Sequence, residues 1–196
     1  MAAIITLLVL VLIAGVLIHI YNKLVRSKNQ WQNSFAQIEV QLKRRYDLIP
    51  NLVTVAKAYL QHENQSLTAV TQARNQALAA LQAAHNQPQN PAALAQMASS
   101  EQKLSGALQG LNVQIEAYPE LKASENLKQL TEEISSTENR VSFARQAYND
   151  DVMDYNTLRQ SFPFVLFASL FGHAKDAVLL QFKDSELIQG TPKVNL

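Results

Sequence analysis

The residues best suited to chemistry in this chain are its four histidines and its sixteen aspartates and glutamates, and their spacing assembles no reactive group. His62-Glu63 opens like a zinc-protease helix, but Ser66 stands where the second histidine of that pattern belongs. A carboxylate-bridged di-iron bundle needs two Glu-x-x-His pairs, and no glutamate here has a histidine three residues on. His19, His85 and His173 are scattered among a membrane edge, a loop and the C-terminal region. With no cysteine, thiolate metal sites, disulfides and cysteine nucleophiles are excluded together. There is neither a glycine-rich phosphate loop nor a G-x-S-x-G elbow. The sequence therefore predicts a protein that is not an enzyme and holds no metal or cofactor.

Charged residues at two places invite a different role. Lys43-Arg44-Arg45 and Asp47 lie on the first helix of the domain, and Glu138, Arg140 and Arg145 on the last. On a solvated face such residues form weak pairs, each worth about 0–1 kcal/mol. Arg45, however, occupies a position where an apolar residue is due, and Thr137-Glu138 interrupts an apolar stripe between Ile134 and Val141. These interruptions predict a buried polar layer that fixes helix register. Its candidates are Arg44, Arg45, Asp47, Glu138, Arg140 and Arg145, with Arg44 or Arg45 paired to Glu138.

The elements that must position this layer are helices. Trp31, Phe35, Ile38, Leu42, Ile49, Leu52, Ala56 and Tyr59 recur at steps of three and four, which places them on one helix face. Pro50 lacks an amide hydrogen and marks either a kink or the start of a new helix, with Asp47 as N-cap in the second case. The unbroken apolar phase favours the kink, and residues 61–66 form another candidate break. A second stripe runs Leu67, Val70, Ala77, Leu81 and gives way to a proline-containing loop at residues 84–91. Asn90-Pro91 has the form of an N-cap followed by proline in the first turn. Leu94, Met97, Leu104, Leu108, Leu111, Ile115 and Tyr118 make a third stripe, ended by Pro119. The last runs from Leu127 through Val141 and Tyr148 to Tyr155. The fold class is all-α, an antiparallel helical bundle most simply of four helices running up and down. A formal net charge of +1, without a basic arm, excludes the footprint of a nucleic-acid binder.

Residues 1–20 carry no charged side chain, and about 20 apolar residues match the roughly 30 Å hydrocarbon core of a bilayer. No Lys or Arg precedes this run and no small-residue cleavage site follows it, so it reads as a retained anchor rather than a signal peptide. Ile4, Leu8, Leu12, Val16 and Ile20 mark the membrane anchor. Lys23, Arg26 and Lys28 follow at once, which favours an N-terminus outside and a bundle in the cytoplasm, with a periplasmic bundle as the alternative. The organisation is an anchor at 1–22, a bundle at 23–160, an apolar short helix at 161–173 and a C-terminal segment at 174–196. The apolar run at 162–171 is too short to span a bilayer. Phe162, Phe164, Phe167 and Phe171 suit a bundle cap, an interfacial foot beside the membrane or a self-association surface. If four helices alternate from the anchor, parity favours the foot; if residues 24–81 form one long kinked helix, the bundle has three arms and this segment sits at the far end. Four-helix parity also brings Asn149, Asp150, Asp151, Asp154 and Asn156 toward Lys23, Arg26 and Lys28.

The chain resembles the LemA family of bacterial membrane-anchored proteins over nearly its whole length. The first matching block is Tyr21-Asn22-x-Leu24-Val25, Asn29, Trp31 and the run from Ile38 through Arg44-Arg45-Tyr46-Asp47-Leu48-Ile49-Pro50 to Val53. His62-Glu63 and Ala73-Arg74 follow, then Tyr118-Pro119-Glu120-Leu121-Lys122-Ala123, Thr137-Glu138-Asn139-Arg140, Ala144-Arg145, Tyr148-Asn149, Val152 and Tyr155-Asn156. Phe162-Pro163 and Phe171-Gly172 complete the set. The resemblance implies a single membrane helix carrying a long antiparallel bundle, with no established enzymatic activity. Through one relative that takes part in building magnetosome membranes, it also hints at membrane scaffolding. The expected partners are membrane lipid and further copies of the chain in a homo-oligomer. The alternative is an adaptor for another membrane protein, such as a protease or channel.

Overall fold

The computed structural model describes residues 1–60 and 64–181. His62-Glu63 lies outside the described residues, as does the first half of the candidate break at 61–66. Among those described, all regular structure is helical: α1 (Ala2–Tyr59), α2 (Asn64–Asn86), α3 (Pro91–Ala117), α4 (Pro119–Lys122), α5 (Glu125–Gln160) and α6 (Phe164–Phe167). One helix, α1, is long and apolar enough to cross a membrane. The others build a multi-helix bundle on the part of α1 beyond that apolar run.

α1 packs most extensively against α5 and also against α2, while α2 packs along α3. Gln30 and Ser34 meet Asp151 while Arg44 meets Glu133, so α1 and α5 run antiparallel. Tyr46 with Arg74 and Glu39 with His85 set α2 antiparallel to α1 in the same way. Except for Tyr59 and Tyr118, which are exposed, the stripes read from the sequence form one core, from Trp31 and Phe35 through Tyr46 and Leu52 to Leu104, Ile134 and Tyr148. Toward the apolar run of α1 the core is aromatic. Trp31 lies 6.2 Å from Tyr148 and 6.4 Å from Tyr155 between ring centroids, and Phe35 lies 5.7 Å from Tyr148.

Between α2 and α3, Asn90 is the N-cap, accepting from the Ala92 amide at 3.0 Å, with Pro91 in the first turn. The loop expected at 84–91 is shorter than that, because α2 continues to Asn86. His85 accordingly belongs to the last turn of α2, where its Nδ1 lies 2.7 Å from the largely buried Glu39 carboxylate. A hydrogen-bonding partner on α1 holds the polar end of α2 in helical form longer than its composition alone suggests.

Pro50 neither ends α1 nor starts a new helix: it lies inside an unbroken α1, so Asp47 is no N-cap. A proline in mid-helix deprives the carbonyl four residues earlier of its partner. That carbonyl belongs to Tyr46, and Arg74 of α2 donates to it through Nε at 3.1 Å. The neighbouring helix thus supplies the hydrogen bond that the proline removed. Arg74→Ala should destabilise the bundle by about 1–3 kcal/mol, the cost of an unsatisfied buried carbonyl. In a Pro50→Ala background the loss should be much smaller, because the substituted position then carries an amide hydrogen that can satisfy the Tyr46 carbonyl. Chemical denaturation of the four chains of this double-mutant cycle measures the coupling.

Candidate functional site

Every long helix of the bundle contributes a charged or polar group to one level of the core. Arg45 of α1 is 3 % exposed and donates from Nη1 to Glu101 of α3 at 3.3 Å and from Nη2 to Ser105 at 3.0 Å. Tyr46 donates its hydroxyl to the other oxygen of Glu101. Ser105 in turn donates to Glu138 of α5 at 3.3 Å, and Glu138 approaches the Arg45 guanidinium at 3.8 Å. Arg74 of α2 closes the set through the Tyr46 carbonyl. Burial pushes the Glu101 carboxyl above the usual carboxylate range, against the hydrogen bond from Tyr46 and the charge of Arg45. Burial, reinforced by Glu101, likewise raises the Tyr46 phenol. A cleft of about 180 Å³ opens beside Arg45 and Glu138 along the seam of α3 and α5.

Of the candidates read from the sequence, Arg45 and Glu138 meet in this layer. Arg44 does not join them: it forms a half-exposed pair with Glu133 at 2.7 Å. Asp47 and Arg140 lie on the surface, and Arg145 is buried farther along α5. Sequence reasoning missed Tyr46, Arg74, Glu101 and Ser105 as members. The signal for one of them was present. Glu101 falls in the α3 stripe between Met97 and Leu104, where an apolar residue was due, whereas the α2 stripe between Val70 and Ala77 is filled by the buried Ala73.

A second polar and aromatic grouping lies where α1 leaves its apolar run. Ile4, Leu8, Leu12 and Val16 are exposed along α1, but Ile20 is 1 % exposed. It clusters with Leu24 and Ala168, flanked by Leu158, Phe164, Phe167 and Phe171. Tyr21 meets Phe171 edge-on at 5.4 Å, and Phe167 stacks on Phe171 at 6.1 Å. Phe162 parts from the other three phenylalanines and is 80 % exposed, in company with Leu166 and Leu170. Lys23 and Arg26 share a nearby cleft with Asp154 and Ser161.

Asn149 and Asn156, which the sequence places toward Lys23, Arg26 and Lys28, have another task. Each amide group pairs with the main chain of the segment that follows α6. Asn156 accepts from the Ala177 amide at 2.8 Å and donates to the Ala177 carbonyl at 2.9 Å. Asn149 does the same for Leu180, at 2.9 and 3.1 Å. The repeated Tyr-Asn pair, seven residues apart in the sequence, was the visible sign of this arrangement.

Among the described residues, no group of three or more His, Asp or Glu side chains is placed to hold a metal ion. Comparison with known proteins gives a match to the model of the LemA family over residues 34–196. Protein LemA of Metamycoplasma hominis is 28 % identical over 151 residues, which is 75 % of this chain. The chain covers 64 % of the length of that relative.

Removing Glu101 leaves both the Arg45 guanidinium and the Tyr46 hydroxyl without their acceptor in the core. Glu101→Leu should therefore cost about 3–5 kcal/mol, whereas Glu138→Gln, at the exposed rim, should cost about 0–1 kcal/mol. Because the folded Glu101 holds its proton to higher pH than the unfolded one, native stability should fall as pH rises from the usual carboxylate range through the raised value. Glu101→Gln should flatten that slope. Urea melts of the three variants across pH test both statements.

Proposed function

The chain belongs to the LemA family, and from that premise we propose that it is a non-enzymatic membrane-anchored scaffold whose bundle touches the bilayer twice. The observation that carries this reading is the packing of α6 against Ile20 and Leu24, at the end of the apolar run. With α1 crossing the membrane, α1, α2, α3 and α5 run alternately away from and toward it, so that α5 delivers α6 back to the lipid surface. Phe162, Leu166 and Leu170 then enter the headgroup region, where exposed apolar side chains gain more than they do in water. The basic flank of Lys23, Arg26 and Lys28 orients the bundle toward the cytoplasm, with the periplasm as the alternative. Two membrane contacts on one rigid body hold each copy at a fixed attitude and favour side-by-side assembly into a homo-oligomer through the foot. The adaptor alternative predicts a small species that gains mass only with a partner membrane protein.

The natural chain has no cysteine, so single-cysteine variants place a fluorophore at will. In liposomes of the full-length protein, a polarity-sensitive dye at Leu170→Cys should be blue-shifted and shielded from aqueous iodide, while one at the exposed Val113→Cys should not. Equal quenching at both positions overturns the foot. The native mass of gently extracted protein should show a large homogeneous homo-oligomer. A small particle carrying a stoichiometric second protein would replace the scaffold by the adaptor.

A further inference from the structure

The segment after α6 is bound to the bundle in the manner of a peptide ligand. Gly172, at φ +82°, turns the chain back, and the segment then runs along α5 in the opposite direction, past Tyr155 to Tyr148. Between the two asparagine clamps α5 advances seven residues, about 10.5 Å. The clamped segment advances three residues over the same distance, about 3.5 Å per residue, which only a fully extended chain spans. A primary amide offers one donor and one acceptor side by side, the same pair that a peptide unit presents to a neighbouring strand. Asn149 and Asn156 thus act as two isolated rungs of a β-ladder mounted on a helix. Between the clamps Tyr148 donates to the Val178 carbonyl at 2.7 Å, and beyond them Arg159 donates to the Ala174 carbonyl at 3.2 Å. These contacts read main chain, which every peptide carries.

Side-chain selection is confined to few positions. Ala177 and Leu180 are buried at 6 % and 1 %, while Leu179 and Gln181 face outward. Arg159 and Gln160 hold Asp176 at the rim, and His173 lies 3.0 Å from the Tyr155 hydroxyl at the entrance.

We propose that the face of α5 bearing Tyr148, Asn149, Tyr155 and Asn156 is a binding site for an extended peptide of a partner protein, recognised through its main chain, and that residues 173–181 occupy it as a displaceable strap. The ligand is an extended segment with a small residue and, three positions later, a large aliphatic one, as Ala177 and Leu180 are in the strap. This proposal goes beyond the scaffold reading and stands without it, since the clamps do not involve the foot or the anchor. A tethered occupant competes at a millimolar-range effective concentration, so the site is closed until the strap is lifted.

The test uses the full-length chain and a fluorescent nine-residue peptide with the sequence of residues 173–181. Leu180→Asp places a charge in the apolar pocket and should release the strap while leaving the clamps intact. The peptide should bind this variant saturably, and the native chain at least about tenfold more weakly because of the tethered competitor. Adding Asn149→Ala and Asn156→Ala to Leu180→Asp should abolish binding. So should proline at the Ala177 or Leu180 position of the peptide, which deletes the amide that each clamp accepts from. No binding to a Leu180→Asp chain that keeps its helical melt overturns the proposal, as does binding indifferent to the asparagines or the prolines. Should Leu180→Asp unfold, hydrogen exchange of the native chain decides. The Ala177 and Leu180 amides should exchange through a local opening well before those of Leu42 and Val152, and exchange only on global unfolding would overturn the strap.

Discussion

The arrangement of the helices rests on Tyr46, which is bound at both ends. Its carbonyl, orphaned by Pro50, is taken by Arg74 of α2, and its hydroxyl reaches Glu101 of α3. The adjacent Arg45 joins the same carboxylate, Ser105 and the edge of Glu138. Apolar stripes alone tolerate sliding by a turn, because one leucine face resembles the next. A buried polar layer does not: a slip of one turn strands a guanidinium, a carboxylate and a phenol in apolar surroundings. The proline is part of the device. By freeing a carbonyl it creates a receptor on α1 that only a donor at the right height on α2 can fill.

How much of this was legible in the sequence depended on whether a residue's partner could be located. The helices and their buried faces were plain, because apolar spacing is a local property of each segment. Arg45 was legible as a charged residue on an apolar stripe, but its main partner was not. Glu138 was chosen as the candidate, although Glu101 sits in its own stripe just as Arg45 does. Pairing is a property of two helices at once, and nothing local aligns them. Pro50 illustrates the same limit, since continuity through it depends on Arg74, 24 residues away in the chain. The asparagines of α5 were grouped with their acidic neighbours and aimed at Lys23, Arg26 and Lys28. Their partner was a main chain without regular structure, which leaves no pattern in side-chain types.

The C-terminal half of α5 and the segment around α6 contrast in how they use aromatic residues. Tyr148 and Tyr155 turn their rings to Trp31 and their hydroxyls to the returning segment, so the same side chains complete the core and dress its outer surface. Phe164, Phe167 and Phe171 have no polar tip and close around Ile20 and Leu24 instead. The tyrosines therefore mark where chain lies upon chain, and the phenylalanines where the protein meets its apolar collar.

α1 is a single helix of 58 residues, about 87 Å long at 1.5 Å per residue, and it passes from the apolar run into the bundle with no linker. A flexible neck would let the bundle swivel independently of the anchor; here the two share one rod. Membrane helices adjust their tilt to the thickness of the bilayer around them. From Tyr21 to Tyr59 the rod extends roughly 57 Å, so a tilt of about 10° sweeps its far end through about 10 Å. With α1 as the membrane anchor proposed above, the bundle becomes a pointer whose bearing follows the thickness of the lipid at its base.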